Sequence, residues 1–345
     1  MDACCQFEAQ REFDDARGVD LLNDNARHFR VRVPGSGEIV AAPLPERQEG
    51  DVQVRSLYSG ISRGTETLVF RGEVPPSQYE AMRAPFQEGD FPGPVKYGYA
   101  SVGEVEEGPE ALVGQTVFCL YPHQDRYIVP SSAVVALPSA VPPERAILAA
   151  NMETAINAVW DARPGPGDRV VVFGAGVVGS LVAWLCGQLP GSHVLLVDPD
   201  GSRRSVAERV GVHFSETPPE GADADLVVHA SGNPAGLVDA LAVAGPEAVV
   251  LEVSWFGDKS VPLPLGEAFH ARRLTIRSSQ VGRIPVDRTP RWSYARRMAL
   301  ALELLADPVL DCLVTGESTF DELPDLMASL AEDAAGVLCH RIRYE

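Results

Sequence analysis

Short runs of alternating apolar and polar residues follow one another from Phe29 onwards, separated by prolines and glycines. The runs FRVRV, GEIVAAPL and DVQVRSLYSG come first, and residues 98–106, 115–121 and 127–136 continue the pattern. An apolar residue at every second position predicts strands with one buried face. Residues 70–95 are rich in proline and glycine and are predicted to form long loops, where sites are often assembled. The first part of the chain is therefore predicted to be mostly β structure.

A second pattern begins after residues 144–162, which have the apolar spacing of a helix, and after the turn sequence RPGPGD. Strands are predicted at 169–173, 193–198, 225–229, 248–253 and 273–279, with helices at 177–188, 202–210 and 234–243. This alternation predicts a doubly wound parallel sheet whose two faces are covered by helices. Residues 290–345 are predicted to add a helix at about 291–306 and a last strand, VLCHRIRY.

The composition adds limits on the function. The 345 residues carry a formal net charge of −19, which argues against nucleic acids and anionic membranes as partners, since both require basic surfaces. The acidic N-terminus lacks the apolar segment of a secretory signal, and no apolar run has the roughly 18–20 residues that cross a bilayer. The six cysteines form neither a zinc motif nor a disulfide framework, which favours the cytoplasm. Residues 1–27 are predicted to be an N-terminal extension with one short helix.

A glycine-rich turn follows the strand RVVVF, where Gly174, Gly176 and Gly179 form a G-x-G-x-x-G motif that includes Val177 and Val178. Gly174 permits the tight turn, Gly176 lets a diphosphate approach the backbone, and Gly179 lets the helix and the strand pack closely. The helix that begins there offers free N–H groups to phosphate. A strand before the motif and a helix after it are the context of a dinucleotide site. A turn without a ligand, a flavin site and an S-adenosylmethionine site are the alternatives.

Asp198 ends the next predicted strand, 19 residues after Gly179. Its carboxylate could accept hydrogen bonds from the adenosine ribose, and it would repel a 2′-phosphate. This favours NAD over NADP as the cofactor. Arg203, which follows closely together with Arg204, weakens that preference.

With a β-rich first half and a dinucleotide-binding second half, residues 29–345 resemble the medium-chain dehydrogenase/reductase superfamily. The resemblance rests on SGISRGTE (59–66), PVKYGYASVGEV (94–105), NMETAINA (151–158), PGPGDRVVVFGAG (164–176) and VDPDGSRR (197–204). The first of these is similar to bacteriochlorophyllide dehydrogenase and related zinc-type alcohol dehydrogenase-like proteins. The resemblance implies an α/β fold with a GroES-like β-barrel catalytic domain (residues 28–150 and 288–345) and a Rossmann domain (residues 151–287). It also implies an active site in the cleft between them and a homodimer.

Zinc-dependent members of that superfamily carry a cysteine in the segment that matches SGISRGTE, where Ser62 or Arg63 stands here. Their Gly-His-Glu reads Gly98-Tyr99-Ala100, and their cysteine or glutamate near the cleft helix falls at residues 149–151. None of the serine, arginine or alanine side chains is a ligand that zinc prefers. The four-cysteine lobe that holds structural zinc is also missing. We therefore expect neither a catalytic nor a structural zinc ion.

Without a metal, another group must protonate or stabilise the reacting oxygen. By the resemblance, Tyr99 takes the place of the histidine ligand, and Thr65 takes the place of the hydroxyl in the proton relay. Tyr97 would share a face with Tyr99 if this stretch is extended. The neighbouring Lys96 would lower the pKa of a phenol and so ease proton transfer. A packing role is the alternative for each of these residues.

Five further residues complete the candidate site. His123 lies in a loop that is expected to reach the substrate, and Glu153 lies on the cleft helix, where a salt bridge is the alternative role. Ser231, Trp255 and Gln280 fall where members of the superfamily line the cofactor cleft.

The resemblance implies a zinc-independent NAD(P)-linked oxidoreductase that interconverts a secondary alcohol and a ketone on a small biosynthetic metabolite. An NADPH-dependent reductase of activated C=C bonds is a second possibility, against which Asp198 counts. A third is an epimerase, cyclase or lyase that keeps NAD tightly bound. A non-catalytic nucleotide-binding protein is the fourth.

Overall fold

The computed structural model describes residues 25–221, 223–333 and 335–345, so the helix predicted at residues 7–25 lies almost entirely outside the described residues. The first strand, β1 (Asn25–Val33), begins within the predicted extension. The chain continues with β2 (Ser36–Pro43), β3 (Asp51–Ile61), α1 (Arg63–Phe70), β4 (Glu88–Gly89), β5 (Val95–Lys96), β6 (Ser101–Glu107), β7 (Thr116–Cys119), β8 (Arg126–Pro130) and β9 (Val134–Ala136). The helix α1 was not predicted.

Two helices, α2 (Pro143–Ala146) and α3 (Ala149–Ala162), replace the one helix predicted at 144–162. The parallel-sheet part follows as β10 (Arg169–Phe173), α4 (Val177–Gly187), β11 (His193–Val197), α5 (Arg204–Arg209), β12 (His213–Ser215), β13 (Ala224–His229), α6 (Pro234–Val243), β14 (Ala244–Glu252) and β15 (Thr275–Ser278). The chain then forms α7 (Tyr294–Leu304), β16 (Val314–Thr319), α8 (Leu323–Glu332) and β17 (Cys339–Arg343). Within the described residues, no helix is long and apolar enough to cross a bilayer.

The second half of the chain forms a six-stranded sheet in the order β12-β11-β10-β13-β14-β15. Every neighbouring pair in this sheet is parallel. The central strands are buried because helices cover both faces, which explains their continuous apolar sequences. The sheet is the predicted doubly wound one, with β12 as a short edge strand that was not predicted.

The first half and the end of the chain share two largely antiparallel sheets. One has the order β16-β17-β3-β6-β7-β9, with β8 also paired to β3, and the other has the order β2-β1-β5-β4. The last strand, β17, runs antiparallel to β3 and so returns the chain end to the first half. The predicted fold class, a GroES-like barrel with a Rossmann sheet, is confirmed. The exact bounds of the two domains stay predictions.

Helix α3 lies between the two halves and is buried around most of its circumference. Its Ile156 belongs to an apolar cluster that includes Val102 and Phe118 of the barrel and Val172 of the parallel sheet. Burial of apolar surface therefore joins the two halves through one helix.

A buried ion pair joins α3 to α7. The Arg297 Nε donates to Glu153 Oε1 at 3.0 Å, and its Nη2 donates to the Val281 carbonyl at 2.7 Å. The side chains of Arg297 and Glu153 are only 2% and 7% exposed. Burial raises the pKa of Glu153, and the Arg297 guanidinium opposes that rise. Glu153 is thus committed to packing of the helices.

We expect Arg297→Met to lower the free energy of unfolding by about 3–5 kcal/mol, because it leaves the Glu153 carboxylate buried without its partner. Chemical denaturation measures the loss. The matched control is Arg47→Met, which removes the exposed pair of Arg47 and Glu107 and should cost less than about 1 kcal/mol. Equal losses in the two variants would contradict this assignment.

Candidate active site

A cavity of about 410 Å³ lies where the carboxyl ends of the parallel strands face helix α1 and the start of α3. One wall comes from the barrel half and the other from the parallel-sheet half. The wall of the barrel half and α3 includes Ser62, Arg63, Gly64, Thr65, Arg71, Tyr99, Asn151 and Thr154. The wall of the parallel-sheet half includes Gly176, Val177, Val178, Ala230, Ser231, Gly232, Ser254, Trp255 and Lys259.

The glycine-rich turn has the backbone that the motif predicts. Gly174 has φ +100°, which side-chain-bearing residues rarely adopt, and a Cβ on Gly179 would lie 1.9 Å from the Gly174 carbonyl oxygen. Gly176 differs, because a Cβ there would meet nothing within 4 Å and would project into open space. Gly174 and Gly179 are therefore required by the packing of the turn. Gly176 has a different effect, because it leaves the backbone at the start of α4 accessible from the cavity.

Asp198 stands beside this turn but is held by the backbone. Its Oδ2 accepts from the Ala175 N–H at 2.8 Å, and its Oδ1 accepts from the Asp200 N–H at 2.9 Å. Arg203 is buried and pairs with Asp200 at 3.2 Å, while its guanidinium also donates to the Gly336 carbonyl at 3.3 Å. Arg203 thus ties the acidic turn to the C-terminal segment and does not line the cavity.

Arg63 is a cavity residue that the sequence reasoning did not assign to cofactor binding. Burial and the nearby Arg203 lower the pKa of its guanidinium, while Asp198 and Asp200 oppose that shift. The cation therefore lies close to the two acids that follow β11. The arginine in the segment SGISRGTE was the available sequence signal for this cation. The direction of its side chain depends on α1, which was not predicted.

Three hydroxyl groups meet on the barrel wall of the cavity. The Tyr99 hydroxyl donates to Ser62 Oγ at 2.6 Å, and the Thr65 side chain also forms a hydrogen bond with Tyr99. Burial, with a contribution from the Glu66 carboxylate, raises the pKa of Tyr99 to about 12. The phenol therefore stays protonated at neutral pH but is a weaker acid than an ordinary tyrosine, contrary to the lowering of its pKa that was expected from Lys96. The structure brings the predicted Tyr99 and Thr65 together and adds Ser62.

Behind these hydroxyls lies a buried carboxylate and imidazole. Glu66 Oε1 accepts from the Ser62 N–H at 2.7 Å, and Oε2 lies 2.8 Å from His123 Nε2. His123 Nδ1 lies 2.6 Å from Ser59 Oγ, which is 2.9 Å from the Tyr344 hydroxyl. Both ring nitrogens of His123 have partners inside the protein. His123 therefore does not reach the cavity, contrary to the prediction from the sequence. It is 1% exposed.

The other predicted catalytic residues, Lys96, Tyr97 and Glu153, are not among the residues that line this cavity. Lys96 Nζ donates hydrogen bonds to Glu88, to Gln124 Oε1 at 2.9 Å and to the Tyr121 hydroxyl at 3.3 Å. It therefore points away from Tyr99, and burial lowers its pKa while Glu88 opposes that shift.

Tyr97 packs in an apolar cluster of the barrel half. Its ring is edge-on to that of Tyr99, with the two ring centres 6.0 Å apart. Burial raises its pKa well above the usual range. On α3, Asn151 and Thr154 share the face that meets the cavity, since residues three apart are neighbours on a helix. Glu153 points to Arg297 instead, so the sequence identified the correct helix but the wrong face.

Of the residues predicted to bind the cofactor, some line the cavity and others do not. Ser231 and Trp255 line the cavity together with Gly176, Val177 and Val178. Gln280 is exposed and uses its Oε1 to accept the Gly282 N–H at 2.7 Å. Gln280 thus stabilises its own loop.

Ser62, Tyr99 and Asn151, which the resemblance matches to the zinc-ligand positions of the superfamily, all line this cavity. Hydroxyl, phenol and amide groups do not fit zinc, which binds thiolate, imidazole or carboxylate ligands. Within residues 25–221, 223–333 and 335–345, no three His, Cys, Asp or Glu side chains form a group that could hold a metal ion.

No protein-family model matches this chain. Among curated proteins, D-guloside 3-dehydrogenase of Escherichia coli (strain K12) is 25% identical over 307 residues, which cover 80% of this chain and 87% of that protein. The 2-desacetyl-2-hydroxyethyl bacteriochlorophyllide A dehydrogenase of Rhodobacter capsulatus is 29% identical over 221 residues, or 58% of this chain and 64% of that protein.

Solved structures show the same fold. The alcohol dehydrogenase rspB from E. coli CFT073, complexed with NADH, has a TM-score of 0.74 at 17% identity and covers 93% of this chain and 99% of that chain. A zinc-binding dehydrogenase from Sinorhizobium meliloti 1021, bound to NADP, has a TM-score of 0.74 at 18% identity and covers 92% and 99%.

The barrel half and the parallel-sheet half together have the two-domain fold of these solved dehydrogenases. The relatives and structural neighbours are zinc-type alcohol dehydrogenase-like members of the medium-chain dehydrogenase/reductase superfamily. They include bacteriochlorophyllide dehydrogenase, so the resemblance that the sequence motifs indicated is confirmed.

We expect His123→Leu to lower the free energy of unfolding by about 3 kcal/mol, because the buried Oε2 of Glu66 then loses its partner. Urea denaturation measures the effect. The double variant His123→Leu, Glu66→Gln should recover part of the loss, since its uncharged amide costs less to bury. Losses that simply add would contradict a direct coupling between the two side chains.

Proposed function

We propose that this protein is a zinc-independent, NAD(P)-dependent oxidoreductase that interconverts a secondary alcohol and a ketone on a small polar metabolite. One observation carries the proposal: the glycine-rich turn and the cluster of Ser62, Thr65 and Tyr99 line the same cavity. A site for a nicotinamide cofactor and a proton donor would thus share one cavity. The dehydrogenase activity of the relatives supports the same reaction class.

The cofactor would be held by the turn and by the residues around it. The N–H groups in the first turn of α4 have no partners within the helix and suit a diphosphate. Gly176 provides the open approach, and Arg63 supplies a cation beside it. Ser231 and Trp255 would meet the rest of the dinucleotide. When bound, the nicotinamide supplies hydride chemistry, for which the protein supplies orientation.

NAD is the cofactor that we favour, because two carboxylates, Asp198 and Asp200, stand where a 2′-phosphate would have to lie. Arg203 does not counter them, since its guanidinium is already used by Asp200 and by backbone carbonyls. Arg63 also lies near these two acids, which oppose the lowering of its pKa.

Tyr99 would act as the acid toward the reacting oxygen. Its phenol stays protonated at neutral pH, and Ser62 and Thr65 fix its hydroxyl at the cavity wall. Alcohol oxidation would require the phenolate of Tyr99 as the proton acceptor, a form that becomes populated only at alkaline pH. Glu66 supports this wall by binding the Ser62 backbone, so it is a positioning residue.

The substrate must be small, because the nicotinamide shares the cavity of about 410 Å³ with it. Arg71, Asn151 and Lys259 add polar groups to the lining, which suits a hydroxylated compound. The homodimer and the cytoplasmic location stay predictions.

We expect Tyr99→Phe to lower the turnover number by about 10²-fold or more, with the Kd for NADH unchanged, because the acid is lost and the cofactor contacts remain. The assay is NADH oxidation with the best of a panel of small hydroxyketones. Tyr58→Phe is the control, since Tyr58 bonds Glu144 outside the cavity. Full turnover in Tyr99→Phe would remove Tyr99 from the mechanism.

We expect Gly176→Ala to weaken NADH binding by about tenfold or more without changing the unfolding midpoint. The added Cβ meets no protein atom within 4 Å but fills space that the diphosphate needs. Fluorescence titration with NADH and with NADPH measures both affinities. Gly179→Ala is the contrasting variant and should destabilise the fold, since its Cβ collides with the Gly174 carbonyl. Unchanged NADH binding in Gly176→Ala would exclude the turn as the diphosphate site.

A further inference from the structure

Three side chains at the carboxyl ends of β13 and β14 form a chain of two short hydrogen bonds. Ser231 Oγ lies 2.7 Å from His229 Nε2, and His229 Nδ1 lies 2.7 Å from Glu252 Oε2. His229 and Glu252 are direct partners in the parallel pairing of the two strands, so the backbone fixes their positions.

The three residues differ in burial, and His229 in the middle is the most buried. His229 is 0% exposed and the Glu252 side chain is 14% exposed, whereas Ser231 is exposed on the cavity wall. Gly236 makes this possible, because a Cβ there would lie 2.9 Å from Ser231 Oγ and 3.0 Å from His229 Nε2. The cavity therefore contains a serine hydroxyl with a buried imidazole directly behind it.

Glu252 is itself held in place, since its Oε1 accepts from the Ser254 N–H at 2.7 Å. A carboxylate at Nδ1 favours the tautomer in which Nδ1 carries the proton. The lone pair on Nε2 then faces the Ser231 hydroxyl. This is the relation between nucleophile, base and orienting carboxylate that is recognised by geometry and not by position in the sequence.

We propose that Ser231 is an acyl-accepting nucleophile, with His229 as its base and Glu252 as the orienting carboxylate, and that the cofactor-free protein hydrolyses small carboxylic esters. Ser231 Oγ forms a bond to the ester carbonyl carbon while its proton passes to His229 Nε2. The bond from that carbon to the alcohol oxygen then breaks, and the alcohol leaves with the proton from His229. Water, activated by the same imidazole, releases the carboxylic acid and restores Ser231.

The developing negative charge on the carbonyl oxygen has donors available in the same cavity. Val177 and Val178 begin α4 and line the cavity, and their N–H groups have no partners within the helix. These are the groups that the proposed cofactor diphosphate would use. Ester hydrolysis and dinucleotide binding therefore exclude one another, and the activity belongs to the cofactor-free state.

A fluorophosphonate probe and p-nitrophenyl acetate test the proposal on the full-length protein. The probe should add one phosphonyl group per chain, with fluoride as the leaving group, and peptide mapping should place it on Ser231. Saturating NADH should slow the labelling by about tenfold or more. Hydrolysis of p-nitrophenyl acetate should begin with a burst of p-nitrophenolate as the acyl group accumulates on the protein.

Variants separate the nucleophile from ordinary surface reactivity. Ser231→Ala should abolish labelling, and His229→Gln should slow it by about 10³-fold or more. Ser329→Ala is the control, because Ser329 is an exposed serine on α8 that does not line the cavity. Ser329→Ala should keep the label. If His229→Gln does not fold, Glu252→Gln takes its place, and a slowing of about tenfold is expected.

The proposal is overturned if the wild-type protein takes up no phosphonyl group, or if Ser231→Ala is labelled as fast as the wild type. Labelling that NADH does not slow would disprove the shared use of the α4 amides. Failure of NADH to bind at all, with labelling of Ser231 intact, would count against the proposed dehydrogenase function and leave the nucleophile standing.

Discussion

A carboxylate that is only 4% exposed must have partners, and the barrel wall of the cavity is built around satisfying Glu66. One of its oxygens binds the Ser62 N–H at the start of α1, and the other lies against His123. His123 in turn is fixed by Ser59 of β3, which meets Tyr344 at the end of the chain. Three distant segments are thus joined through one acid. Tyr99 and its two hydroxyl neighbours stand on the cavity side of this arrangement, so their geometry depends on it.

The parts of the structure that could be predicted are those whose cause is local. The continuous apolar runs predicted the parallel sheet because burial on both faces removes the need for alternation. The glycine motif predicted its own turn because Gly174 and Gly179 meet steric demands within six residues. Asp198 was also predicted beside the turn, because it follows the strand that neighbours β10. Both of its carboxylate oxygens are bound by the backbone.

The parts that could not be predicted depend on partners far away in the chain. Helix α1 contains Gly64 and Thr65, which are weak helix formers, and its start is held by the contact of Glu66 with Ser62. His123 was expected in the cavity, but Ser59 and Glu66 take both of its ring nitrogens. Glu153 was placed on the right helix, and only Arg297, 144 residues later, decides which way it points.

The pairing of β17 with β3 sets an order for the formation of the two halves. The six strands of the parallel sheet lie between residues 169 and 278, so their pairing partners are complete once that stretch has left the ribosome. Strand β3 pairs with β6 and β8 earlier, but residues 58–61 lack a neighbour on one side until β17 has been synthesised. During translation the parallel-sheet half can therefore mature first, whereas this end of β3 keeps one open edge, which favours aggregation, until β17 arrives.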